Sequence, residues 1–240
     1  MRIDLSSDND ALVHLDPGDR FHFVGTYLRG RSFGIRLVPP CPLGSPIGRI
    51  MHGCYWMNSC VADDQSRTVR LTGPTVIGRF STVRVPQGHR HFVNPNHLAG
   101  FLCRGKGKLH TKIGCFFSPT MWSLGHPLPI IADGPVDLVF YGEGMRTVTA
   151  SAGDEYIPSQ VVCYNSSTLI SARALNPDSS ALAHVSNAVG RESRWVFAEQ
   201  TELTLVPINR PTGSSHHFFW HVAFHLAVLT AMAILFKSQS

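Results

Sequence analysis

His89, Arg90, His91 and His97 crowd one short stretch of the chain. Neutral imidazole is the commonest metal ligand in proteins. Residues two apart on a strand point the same way, so His89 and His91 are able to share a divalent transition metal ion. A catalytic metal needs about three protein ligands. No His-x-His followed by a glutamate stands elsewhere to complete the set, and His52 and His110 are isolated candidates. The competing reading puts these histidines on a polar strand face or in a loop. A second group, His217, His221 and His225, recurs at helical spacing. It reads as a haem or metal ligand pair, or as imidazoles hydrogen-bonding between helices.

Gly100-Phe101-Leu102-Cys103-Arg104-Gly105-Lys106-Gly107 nearly spells a phosphate-binding loop. Gly107 stands where a hydroxyl would hold magnesium, and Lys108-Leu109-His110-Thr111-Lys112-Ile113 alternates like a strand instead of opening a helix. The stretch therefore predicts a hairpin tip whose Arg104, Lys106 and Lys108 are placed to touch lipid headgroups. No Gly-x-Ser-x-Gly elbow occurs, which leaves hydrolase chemistry without a nucleophile. The six cysteines (41, 54, 60, 103, 115, 163) form no Cys-x-x-Cys pair and read as buried thiols. These observations assign no catalytic residue and no cofactor.

The elements that must position these residues read as strands. Only 15% of residues are charged, against 21 Gly and 16 Pro, a composition suited to turn-rich β structure. Arg20–Val24, Thr68–Leu71, Thr75–Ile77, Thr82–Val85, Val136–Tyr141 and Thr147–Thr149 are short β-branched or alternating runs between turn signals. Ser171–Gly190 is Ala/Ser-rich and suits a short helix or loop. Internal repetition is visible as well. After Gln87-Gly88 comes Phe92-Val93-Asn94-Pro95-Asn96-His97-Leu98-Ala99, and after Ala152-Gly153 comes Tyr156-Ile157-Pro158-Ser159-Gln160-Val161-Val162-Cys163. Laid over each other, both read aromatic, aliphatic, two turn residues, an amide, then apolar residues. Pro17-Gly18-Asp19-Arg20-Phe21 repeats the opening of the second copy.

Phe218–Phe236 contains no Asp, Glu, Lys or Arg. As a helix it would span roughly 28 Å, near the bilayer's hydrocarbon thickness. Phe218, Trp220 and Phe236 mark the expected anchor, with a buried helix of the domain as the competing reading. The expected organisation is a flexible N-terminus (1–11), a β-sandwich domain (12–207), a linker (208–217), a transmembrane anchor (218–236) and a polar tail (237–240). The first ten residues lack an apolar stretch, so no secretory signal is expected there. Net charge is +5 without a Lys/Arg stripe, which predicts no nucleic-acid partner.

At Pro17-Gly18-Asp19, at Gln87-Gly88 through Leu98-Ala99, and at Gly134-Pro135 with Gly153-Asp154-Glu155, the chain resembles the AIM24 (DUF124-type) family. The resemblance covers residues 12–207 and rests on turn chemistry. It implies a twisted antiparallel sandwich built from internal repeats, related to TRAP-like folds, and association with mitochondrial membranes and their organisation. It carries over no catalytic residue. Pro86-x-Gly88-x-x-His91 separately resembles half of a cupin metal motif. The expected fold class is thus all-β, an antiparallel sandwich of internal repeats, plus one C-terminal transmembrane helix. The expected function is a non-enzymatic, membrane-anchored scaffold or assembly protein with lipid and a membrane protein or a second copy as partners. The alternative is a cupin-like metal-dependent enzyme using His89 and His91.

Overall fold

Alternating side chains between glycine turns produce strands along the body of the chain. The structure, a computed structural model, describes residues 2–5, 9–38, 57–75, 77–112, 129–174 and 193–207. All of these belong to one unit, Met1–Pro207. A short strand β1 (Arg2–Leu5), inside the stretch expected to be flexible, pairs with the next strand and precedes three successive sets of six strands. The first set is β2 (Asp10–Leu15), β3 (Arg20–Val24), β4 (Leu28–Arg31), β5 (Ile35–Val38), β6 (Met57–Ala62) and β7 (Arg67–Thr72). The second is β8 (Gly78–Val85), β9 (Arg90–Val93), β10 (Leu98–Cys103), β11 (Lys108–Thr111), β12 (Ile130–Asp133) and β13 (Val136–Glu143). The third is β14 (Arg146–Ala150), β15 (Glu155–Tyr156), β16 (Val161–Asn165), β17 (Ile170–Ala174), β18 (Ser193–Phe197) and β19 (Thr201–Leu205).

Each set is a small sandwich with the same wiring. Its first, sixth and third strands form one antiparallel layer, and its second, fifth and fourth strands form the other. The turn between first and second strands carries a left-handed glycine every time: Gly18 (φ 80°), Gly88 (φ 83°) and Gly153 (φ 90°). Only glycine adopts that backbone without strain. Second and third strands are joined by one 3-10 turn per set: Gly25–Tyr27, Pro95–His97 and Pro158–Gln160. The third strand then pairs with the sixth across a bulge, at Leu28/Gly30, Leu98/Gly100 and Val161/Cys163.

Neighbouring sandwiches are fused through the backbone. The second strand of one set pairs with the third strand of the next, β3 with β10 and β9 with β16. Two six-stranded sheets result, β5-β6-β3-β10-β13-β8 and β11-β12-β9-β16-β19-β14. Each shared sheet feeds two cores from its two faces. Leu102 and Val139 join the core of the first sandwich with Phe21, Phe23 and Leu71. Phe101, Leu138 and Phe140, one residue along, join the second core with Val93 and Ile130. That double duty explains why β10 and β13 are almost wholly buried instead of alternating. The third core gathers Phe92, Tyr164, Leu203, Phe197 and Trp195, whose indole is 1% exposed.

Four sequence expectations change here. The transmembrane helix expected over Phe218–Phe236 is not borne out. Among the described residues no helix is long and apolar enough to cross a membrane, and the segment, with Trp220, lies outside them. A charge-free apolar run specifies removal from water, a demand that a protein interior meets as well as lipid does. At about the minimum spanning length, with His221 and His225 inside it, the run does not separate the two. Of the strand expected over Thr75–Ile77, Thr75 lies in a bend and Ile77 in a turn, with Val76 outside the described residues, because the Tyr141 hydroxyl holds Thr75 in a corner. The Thr75 N–H donates to that hydroxyl at 3.1 Å, and the hydroxyl donates to the Thr75 carbonyl at 3.0 Å. The overlay of Phe92 on Tyr156 shifts by one. The 3-10 turns align Pro95 with Pro158, so Val93 corresponds to Tyr156, because β15 is shortened. Finally, the expected helix or loop over Ser171–Gly190 begins inside strand β17, and residues 175–190 lie outside the described residues.

The fused joint generates a matched pair of substitutions. A Cβ placed on Gly100 would meet the Phe21 ring at 2.6 Å and the His22 carbonyl oxygen at 2.7 Å. At the equivalent Gly30 it would meet no atom within 4 Å. Gly100→Ala is expected to destabilise the fold by about 1–3 kcal/mol, and Gly30→Ala to change it by less than about 0.5 kcal/mol, measured by urea denaturation at low protein concentration.

Candidate functional site

Strand direction alternates within every set, so the tight turns gather at one end of the body and the 3-10 turns at the other. At the tight-turn end of the second set, three turns are tied together through the backbone. The Arg104 N–H donates to the Pro135 carbonyl at 3.1 Å, and the Gly134 N–H to the His89 carbonyl at 2.9 Å. This platform carries the basic residues singled out in the sequence. Asp133 holds the Arg90 guanidinium at 2.9 Å, with the Lys108 ammonium and the His110 imidazole each at 3.6 Å. Asp137 holds Arg104 at 3.0 Å and Arg84 at 3.6 Å. Lys106 is exposed in the turn beside Gly105.

Five cations (Arg84, Arg90, Arg104, Lys106, Lys108) thus surround two largely buried carboxylates. The corresponding end of the third set is acidic, with Asp154, Glu155 and Glu199, whereas that of the first mixes Asp16, Asp19, Asp63 and Asp64 with Arg20, Arg31 and Arg67. The first turn of each flanking set is closed by a carboxylate. Asp19 accepts the Asp16 N–H at 3.1 Å, and Asp154 accepts the Ser151 N–H at 2.8 Å. In the second set His89 replaces that aspartate, which leaves its turn closed by the backbone bond from the His89 N–H to the Pro86 carbonyl at 3.1 Å. The second set has therefore exchanged one turn-closing carboxylate for an imidazole and carries an excess of cations at this end.

Of the residues expected to act as a lipid-contact patch, Arg104, Lys106 and Lys108 do share this end. Arg104 is the most enclosed of them and is engaged by Asp137. The sequence reasoning missed Arg84, Arg90 and the two aspartates, because their ion pairs cross strands that are far apart in the chain.

The histidine pair fares differently as a metal site. His89 lies exposed before β9, and His91 is half-buried with its Nδ1 enclosed. Burial, with the charge of His89 adding to it, pushes His91 below the usual imidazole range, so it is neutral as a ligand must be. Its cross-strand neighbours are Ala132 and Asn165, not a third imidazole or carboxylate. Among the described residues no group of three or more His, Cys, Asp and Glu is arranged to hold a metal ion. Among the described residues the donor set stops at two imidazoles, short of the three that a catalytic metal needs. His52, His217, His221 and His225 lie outside the described residues.

Three of the six thiols, Cys60, Cys103 and Cys163, are described, and Cys41, Cys54 and Cys115 lie outside the described residues. Burial pushes Cys103 up to about 11 and Cys60 up to about 12, and raises Cys163 as well. All three stay protonated near neutrality, which removes them as nucleophiles.

These features define an all-β repeat protein with a basic turn cluster. Its fold resembles that of protein SPYM3_0169 from Streptococcus pyogenes, known from an X-ray crystal structure. The TM-score is 0.62 at 12% sequence identity, over 87% of this chain and 94% of that one. At such identity the likeness shows a shared β-rich fold. No protein-family model and no curated protein matches the chain.

His91, His97 and His110 all titrate below the ordinary imidazole value, chiefly through burial. A group whose folded pKa is depressed keeps its full stability above the unfolded value of about 6.5 and loses it as pH falls towards the folded pKa. Urea midpoints should therefore decline from pH 7.5 to pH 5, with the decline shallower in His91→Gln and His97→Gln. A flat or rising profile would show these imidazoles to be freely protonated in the folded state. Asp10 stays out of this window, since Thr72 and Arg70 hold its carboxyl below the usual range.

Proposed function

We propose that the chain is a non-enzymatic scaffold of AIM24-like type that works at a membrane surface, gripping anionic lipid headgroups with the basic end of its second sandwich. The carrying observation is the excess of cations at that end: five around two carboxylates, on turns tied together through the backbone, between two ends that kept their turn-closing carboxylates. Lysines near an anionic bilayer contribute roughly 1 kcal/mol each, so a few exposed cations suffice for reversible attachment. The AIM24 likeness supports the repeat architecture and suggests mitochondrial membrane organisation as the setting. Among the described residues the thiols are protonated and the histidine pair has no third donor, which favours binding over chemistry. No membrane-spanning helix enters this reading.

Vesicle co-sedimentation of the full chain tests it. Binding to phosphatidylcholine vesicles should strengthen when phosphatidylserine is added and weaken as salt is raised. Lys106→Glu/Lys108→Glu should lower affinity for the anionic vesicles by about tenfold or more. Both proteins carry the same C-terminal segment, so the difference between them reports the basic end alone. Equal binding by the two proteins, or indifference to phosphatidylserine, would sink the proposal.

A further inference from the structure

The joint between sandwiches is used twice inside the chain, and its two halves are left over at the two ends. At the first joint Phe23 faces Gly100 and His22 faces Phe101. At the second, Val93 faces Cys163 and Phe92 faces Tyr164. Both obey one register: the residue two before the 3-10 turn stands opposite the position that follows the bulge. Among the described residues the third strand of the first set, β4, ends its sheet, and the second strand of the third set, β15, ends another. Nothing lies within 4 Å of a Cβ built on Gly30 of β4, whereas its equivalent Gly100 is packed against β3.

The leftover edges also differ from the internal ones in composition. Where β10 presents Ala99 and Phe101 and β16 presents Val162 and Tyr164, all buried, β4 presents Arg29 and Arg31, both exposed. In the shared register the partner of Gly30 is Tyr156, and the partner of Arg31 is Glu155. A basic edge strand thus meets an acidic one with opposite charges directly across from each other, the arrangement that stabilises antiparallel pairs.

We infer that β4 of one copy pairs with β15 of a second copy, so that the chain assembles head to tail. The new sheet, β17-β18-β15 joined to β4-β7-β2, repeats the strand roles of the two sheets within the chain. One basic and one acidic edge per copy make the contact heterologous, which propagates into a ring or a filament. Arg31 and Glu155 set its register and its partner, and neither belongs to the basic end of the second sandwich. Glu155 also holds Arg173 of its own sheet at 2.9 Å, and Arg31 donates to the Ile35 carbonyl at 2.9 Å, so pairing of the edges shares or exchanges these local partners.

Sedimentation velocity of the full chain over a concentration series, without lipid, reads the assembly directly. The natural protein should associate with rising concentration. Arg31→Glu and Glu155→Arg should each weaken association by about tenfold or more, because each alone sets like charges across the joint. Mixing the two variants should restore association at one-to-one stoichiometry, since the altered edges complement each other and so do the unaltered ones. Closure of the joint within a single chain cannot produce that recovery. A natural protein that stays monomeric, association indifferent to both substitutions, or no recovery on mixing would each overturn the inference. Because lipid is absent, failure here leaves the headgroup reading standing, and failure of vesicle binding leaves this one standing.

Discussion

A strand edge left unpaired away from water is expensive, and the chain is organised around avoiding that cost. Three strands make too small a layer to bury an apolar face securely on their own. Lending the second strand of one sandwich to the third strand of the next converts isolated layers into six-stranded sheets. Everything else follows from that backbone fusion. Shared sheets are buried on both faces, so consecutive side chains of β10 and β13 serve different cores. Close approach at the joint demands glycine at position 100, where a side chain would strike β3.

Repetition also explains how the basic surface of the second sandwich arises. The sandwiches share wiring, so each inherits the same turns at the same end, and chemistry is added by changing only what those turns carry. The flanking copies retain Asp19 and Asp154 as turn-closing carboxylates. The central copy carries His89 there, and its following turns supply Arg104, Lys106 and Lys108. Asp133 and Asp137 hold several of these cations in place, so the platform is both charged and ordered.

Much of this architecture was legible in the residues, and the illegible parts have physical causes. Left-handed glycines and the prolines opening two 3-10 turns exposed the second and third copies. The first copy stayed half hidden because Gly25 opens its 3-10 turn in place of proline. A shortened β15 displaced the overlay by one residue, and a sequence comparison without strand pairings has no means of detecting that. Near-continuous apolar runs such as Val136–Tyr141 revealed a strand but not that its two faces belong to two cores. The basic hairpin tip was visible as Arg104, Lys106 and Lys108. Its aspartate anchors were not, since strand pairing alone brings them there. The apolar C-terminal run registered only a demand for shelter from water, and the membrane helix drawn from it went further than hydropathy supports.

The central claim is that the seams between sandwiches are as integral to the fold as the ladders within them. Amide hydrogen exchange followed by mass spectrometry tests it most directly. The account predicts that β10 and β16 exchange only through global opening, at the same free energy as the β13 and β19 ladders inside the sandwiches. Exchange at the β3–β10 and β9–β16 seams that is fast while the sandwich ladders remain protected would contradict it, and would describe three independent domains resting side by side.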